Sequence, residues 1–147
     1  MKKYFLLFAL LFLSACSGPP IWFKDLDGNA MRLSDFQGKW VVINYWGSWC
    51  KPCWEEIPAL NDFYRAHKGK VIVLGVNKGD PPNQLRAIVK KMGIEFPVLT
   101  SDPGLVSGYP IPTVFPATYV VPPSGDLQPD ILPGPQTRES LERAICR

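Results

Sequence analysis

The hydrophobic pattern changes period near residue 50. Trp40-Val41-Val42-Ile43-Asn44-Tyr45-Trp46 is a nearly continuous β-branched and aromatic run, which suits a strand buried on both faces of a parallel sheet. Past Cys53, Ile57, Leu60 and Tyr64 recur at helical spacing among Glu55, Glu56, Asn61, Asp62 and Arg65. A helix is therefore predicted from the cysteines to about His67. Residues 71–76 read as a second buried strand. Asp80-Pro81-Pro82 opens a second helix whose apolar face is Leu85, Ile88, Val89 and Met92, and Gly93 closes it. Residues 96–99 form a short strand. Upstream, 23–33 alternates about Asp27-Gly28, the pattern of a hairpin with a tight turn.

From Pro97 to Pro135 prolines are too dense for a long helix, so this region must be strands and turns. Ala117–Val121 is a strand, Pro122-Pro123-Ser124-Gly125 a turn and 127–132 a returning strand. Thr137 caps a last helix carrying Leu141, Ala144 and Ile145. Strand, helix, strand, a later hairpin and a final helix together predict an α/β sandwich, with the cysteines at the carboxyl end of a central strand.

The first residues change the picture. Lys2-Lys3, an apolar run over 4–13 and then small residues have a signal-peptide layout, too short to span a bilayer as a helix. Leu13-Ser14-Ala15-Cys16 resembles the bacterial lipobox, whose cysteine is acylated and becomes the first mature residue. The predicted organisation is a leader over 1–15, a tether over 16–21 and one domain over 22–147. The formal net charge is +3, but Lys2 and Lys3 lie in the leader, so the mature chain is close to neutral. No basic field for nucleic acid remains.

Cys50 and Cys53, two residues apart at a strand-to-helix junction, are the candidate chemistry. Unpaired N–H groups and the positive end of the helix dipole favour a thiolate at Cys50. Lys51 adds a nearby positive charge. Cys53, one turn inside and more buried, is suited to attack the mixed disulfide that Cys50 forms with a substrate. A static disulfide would close a loop too small to stabilise much. A zinc site would want a second pair of ligands, and only Cys16, Cys146 and His67 are left to supply one. A copper-carrying form of the same fold is a further reading. Redox use is preferred, because CxxC beside a β-α pattern is a redox signal. Cys146 reads as a partly buried small apolar residue on the last helix.

Across about residues 22–145 the chain resembles the thioredoxin superfamily, and within it the exported TlpA/ResA-type thiol-disulfide oxidoreductases. The marks are Asp27-Gly28, Leu33-Ser34-Asp35-Phe36-Gln37-Gly38-Lys39, and Asn44-Tyr45-Trp46-Gly47-Ser48-Trp49-Cys50-Lys51-Pro52-Cys53. Glu56-Ile57-Pro58 and Gly93-Ile94-Glu95-Phe96-Pro97-Val98-Leu99 complete them. The resemblance implies a thioredoxin-like fold: a central mixed sheet flanked by helices, an N-terminal β-hairpin extension and a TlpA-type central insertion. It places the family's cis-proline at Pro116, with Pro112 as the competing position. A cis bond there would leave the Phe115 backbone free to pair with an incoming peptide. Trp49 and Pro116 would shape the peptide-facing surface, and Lys51 and Pro52 would help set the redox poise.

Asn44 stands where cytoplasmic thioredoxins carry a buried aspartate. Glu56 matches a glutamate of the TlpA/ResA branch, which implies proton handling for Cys53; spacing alone would make it a solvated carboxylate near a helix start. Ala117 replaces the glutamate that cytochrome c maturation members place after the cis-proline, and a peroxiredoxin's Pro-Thr-Cys setting is missing. The resemblance implies an extracytoplasmic, lipid-anchored monomer that reduces disulfides of exported proteins without organic cofactor or metal. A membrane thiol-disulfide partner would supply its electrons. A disulfide-oxidising member is one alternative. The other, a copper module, would normally have three residues between its cysteines and a distant histidine; here there are two, and His67 is expected to be solvated at the far end of the first helix.

Overall fold

The computed structural model describes residues 22–104, 108–125 and 130–146. The leader, the tether and Cys16 lie outside them. β1 (Trp22–Lys24) and β2 (Ala30–Arg32) form a separate antiparallel hairpin, followed by a 3-10 turn at Leu33–Phe36. Then come β3 (Trp40–Trp46), α1 (Lys51–Ala66), β4 (Val71–Asn77), α2 (Leu85–Met92) and β5 (Val98–Leu99). β6 (Ala117–Val121), β7 (Asp130–Pro133) and α3 (Arg138–Ile145) complete the described elements. The sheet order is β5-β4-β3-β6-β7, parallel from β5 to β3 and antiparallel beyond, so the mixed sheet is present with β3 at its centre.

The period of two along β3 sorts its side chains between two cores. Val42 and Trp46 join Cys50, Cys53, Ile57, Leu60, Phe63 and Leu141 on one face. Val41, Ile43 and Tyr45 join Phe23, Leu74, Leu99, Tyr109 and Tyr119 on the other. Asn44 shares the parity of Val42 and Trp46, so a polar amide is carried into the α1 side of the core. Parallel β3 and β4 end together, which brings the segments following Trp46 and Asn77 side by side.

Several expectations are corrected. The β1–β2 turn is a five-residue loop rather than a tight turn, because Asp25 accepts bonds from Asn29 N (2.8 Å) and Nδ2 (2.9 Å) and draws the chain around Gly28. α2 starts at Leu85, after a turn; the Asp80 carboxylate is engaged elsewhere and Gln84 stands at the N-cap. Gly93 ends α2 in the left-handed conformation (φ 70°), as expected. The strand predicted over 96–99 shortens to Val98–Leu99. The returning strand runs Asp130–Pro133, and residues 127–129 lie outside the described set.

Thr137 does cap α3, with Thr137 Oγ1 accepting from Ser140 N at 3.1 Å. Cys146 is exposed at the C-cap: Leu141 and Ala144 define the buried face, and two residues past Ala144 the helix has turned away from it. His67 is half-buried rather than solvated, stacked on Phe63 with ring centroids 4.4 Å apart.

Candidate active site

Cys50 occupies the N-cap of α1 and Cys53 its first turn, with Pro52 between them where a missing N–H costs no helical bond. The two cysteines form a disulfide with Cα atoms 5.3 Å apart. Both are buried, Cys50 at 5% and Cys53 at 0% exposure, while Lys51 and Pro52 are exposed. The first N–H groups of α1 therefore lie at Cys50, where they favour a thiolate once the bond is reduced.

The segment leading into Cys50 is held by contacts the sequence reading missed. Asp80 accepts from Ser48 N at 2.8 Å and Ser48 Oγ at 2.5 Å, and also from Asn77 Nδ2 at 2.6 Å. Burial alone would raise its carboxyl, but the bonds from Ser48 and Asn77 outweigh this and hold it below the usual range. Trp54 Nε1 donates to Ser48 O (2.9 Å) and Trp49 Nε1 to Lys78 O (2.9 Å). Gly47 is required by close approach: a Cβ there would stand 2.4 Å from Trp49 Nε1 and 2.8 Å from Lys78 O. The available signal was topological. Asn77 and Trp46 end neighbouring parallel strands, so polar residues just beyond them must meet. Asp80→Ala is expected to lower stability by about 2 kcal/mol, read by urea unfolding of the oxidised protein.

Trp49 is 60% exposed and meets Phe115 edge-to-face, ring centroids 5.4 Å apart. The Phe115–Pro116 bond is cis, the position the resemblance preferred over Pro112. Pro116 is buried and Phe115 half-buried. Ile111 (40% exposed) and Val114 (65%) lie on the same loop, giving the segment before Pro116 an apolar outer surface. Tyr119 Oη donates to Pro110 O, and Tyr45 Oη donates to Asp102 Oδ1 (2.7 Å), while Asp102 Oδ2 pairs with Lys78 Nζ (2.6 Å). Through Lys78, whose carbonyl receives Trp49, this chain reaches the active-site loop.

Glu56 is not solvated. It is 2% exposed on the buried face of α1, one turn beyond Cys53. Its Oε1 accepts from Asn44 Nδ2 (2.7 Å) and its Oε2 from Gln136 N (2.9 Å). Asn44 Nδ2 also bonds Thr118 Oγ1 at 3.1 Å. Burial pushes the Glu56 carboxyl up to about 7, against the opposing pull of Gln136 N–H and the Asn44 amide. Spacing failed here because strand β3 and the lead-in to helix α3 cover a face of α1 that periodicity alone would leave wet. Thr118 and Gln136 were missed; polar residues in an otherwise apolar strand and just before a helix cap were the signal. The structure thus brings Cys50, Cys53, Trp49, Phe115 and Pro116 to one end of the sheet, with Glu56 beneath, while Lys51 and Pro52 stand outside on α1.

Comparison with known proteins agrees in kind. A family model described as AhpC/TSA family matches residues 17–129. The thiol-disulfide oxidoreductase ResA of Geobacillus kaustophilus is 34% identical over 134 residues, covering 88% of this chain and 74% of the relative. The thioredoxin-like protein YneN of Bacillus subtilis is 32% identical, covering 86% of this chain and 75% of its own. Among solved structures, MTB dsbF superposes with a TM-score of 0.72 at 26% identity, over 86% of this chain and 93% of that one.

Proposed function

We infer, from the premise that this chain belongs to the AhpC/TSA family and is a thioredoxin-like thiol-disulfide oxidoreductase, that it reduces disulfides of exported proteins with Cys50 as nucleophile and Cys53 as resolving thiol. The observation carrying this reading is the Cys50–Cys53 disulfide at the start of α1 with the buried acid Glu56 one turn further in. In the reduced protein the Cys50 thiolate attacks one sulfur of the substrate disulfide, whose S–S bond breaks and releases a thiolate. Cys53 passes its proton to the Glu56 carboxylate and attacks Cys50 Sγ. The second substrate thiolate leaves, and two electrons have moved from the Cys50–Cys53 pair to the substrate.

Trp49, Lys51, Pro52 and Phe115 face the substrate, and Pro116 fixes the backbone on which it lies. Exposed Ile111 and Val114 support a largely apolar contact. The chain works as an extracytoplasmic monomer anchored through lipid on Cys16, re-reduced by a membrane thiol-disulfide donor. The leader pattern and the lipobox support this placement. Among the described residues no helix is long and apolar enough to cross a membrane.

Mixing reduced protein with a disulfide-bonded test protein such as insulin is expected to convert substrate disulfide to thiols in step with oxidation of Cys50 and Cys53, read by mass after alkylation. Substrate left oxidised would overturn the reading. For the anchor, Cys16→Ala is expected to abolish acylation and leave exchange by the purified protein intact. Mature wild-type protein without acyl mass would contradict it.

A further inference from the structure

Asn44 sits in the carboxyl half of β3 with no exposure, and its Oδ1 is buried with no hydrogen-bond partner. A buried amide usually satisfies both ends. Here the Nδ2 end takes two neighbours, Glu56 Oε1 and Thr118 Oγ1, and the oxygen is stranded. Turning the amide over would place the oxygen against the same neighbours and strand the nitrogen instead. Either orientation leaves one end unpartnered, so the surroundings have little preference and the state of the neighbours decides.

Thr118 accepts both orientations, because its hydroxyl donates or accepts as required. Glu56 does not. As a carboxylate it only accepts, and it needs Nδ2; as a carboxylic acid it must donate, and it needs an oxygen. Its Oε2 already receives Gln136 N–H, so the proton belongs on Oε1, the atom facing Asn44. We propose that Asn44 is the positioning residue for this proton: its amide donates to the ionised Glu56 and turns over to accept from the protonated Glu56 through the oxygen now left without a partner.

The groups acting on Glu56 are the Asn44 amide from β3 and Gln136 N–H from the lead-in to α3; no full charge acts on it among the described residues. Thr118 of β6 reaches it through Asn44, and Cys53 and Cys50, at the start of its own helix, lie on the same side of the core. The exchange gives the acid two satisfied states without moving the backbone. When Cys53 loses its proton to Glu56, the amide turns once; when the proton leaves, it turns back. An aspartate at 44 would add a second buried charge, and an aliphatic residue would leave the acid without a partner in both states.

The inference rests on Glu56 as the proton acceptor of Cys53, but it can fail separately. The test follows the Asn44 side-chain NH2 and the Glu56 carboxyl carbon by NMR in the labelled oxidised protein, across about pH 4 to 9. The Asn44 signals are expected to change with the same midpoint as Glu56, and to be flat in Glu56→Gln. Flat Asn44 signals in wild type while Glu56 titrates would overturn the proposal. Asn44→Leu removes the partner of both states, but the bond to the carboxylate is the stronger, charge-assisted one, so the Glu56 midpoint should move upward by about one pH unit, and the pH profile of release from the mixed disulfide should follow; an unmoved midpoint would mean that Asn44 gives the carboxylate no such bond and overturns the proposal. If the amide tracks Glu56 while the release rate ignores that midpoint, the Asn44–Glu56 exchange stands and the Cys53 step falls. The wild-type titration decides the matter even if Asn44→Leu does not fold.

Discussion

Reduced Cys53→Ser protein mixed with a disulfide-bonded partner is expected to stall as a mixed disulfide on Cys50, whereas Cys50→Ser should lose turnover by about a thousandfold or more. The asymmetry follows from position. Cys50 is the N-cap residue, where the orphan N–H groups of α1 stabilise a thiolate and speed attack on an incoming sulfur. Cys53 is wholly buried one turn inside, and the sulfur within its reach is that of Cys50. Without Cys53 nothing resolves the adduct; without Cys50 none forms. Non-reducing mass analysis followed by peptide mapping checks both. An adduct mapped to Cys53 in the Cys50→Ser protein, forming at the wild-type rate, would reverse the roles.

A comparably large effect is expected on stability against pH. The folded protein keeps the Glu56 proton up to about 7, while the unfolded chain gives it up near the ordinary carboxylate value. Between those values the native state binds more protons than the unfolded state. Stability present at acid pH is therefore lost as pH rises, by about 3 kcal/mol from this group. Glu56→Gln carries no charge to bury. Its amide oxygen can take the bond from Gln136 N–H while its nitrogen donates to a reoriented Asn44. The variant should be the more stable protein at pH 8 and should lack the slope between pH 5 and 8, measured by urea unfolding of the oxidised forms. An equal slope in both proteins would place the pH dependence elsewhere.

The parts of the fold legible in the sequence were those written in periodicity. The both-faces-buried strand at Trp40–Trp46 and the apolar stripe of α1 fixed the strand-to-helix junction, and with it the place of the cysteines. The Thr137 cap and the left-handed Gly93 were also readable, because each satisfies a local backbone requirement. What escaped were side chains whose partners lie far along the chain. Asp80, read as the opening of a helix, serves Ser48 instead. Glu56 looks solvated from α1 alone and becomes buried only when β3 and the lead-in to α3 close over it. Cys146 was placed on the wrong side of the last helix because two residues beyond a buried position amounts to half a turn.

The claim that this pair works as a reductant is tested most directly by the reduction potential of the Cys50–Cys53 couple, measured by equilibrating the protein against glutathione or dithiothreitol buffers. Pro52 resembles the arrangement of reducing thioredoxins, whereas strongly oxidising members often carry a histidine there; Lys51 favours the thiolate and pulls the other way. A single two-electron transition is expected, nearer the thioredoxin value of about −270 mV than the DsbA value of about −120 mV. A potential near the DsbA end would contradict it and make the protein an oxidant of its partners.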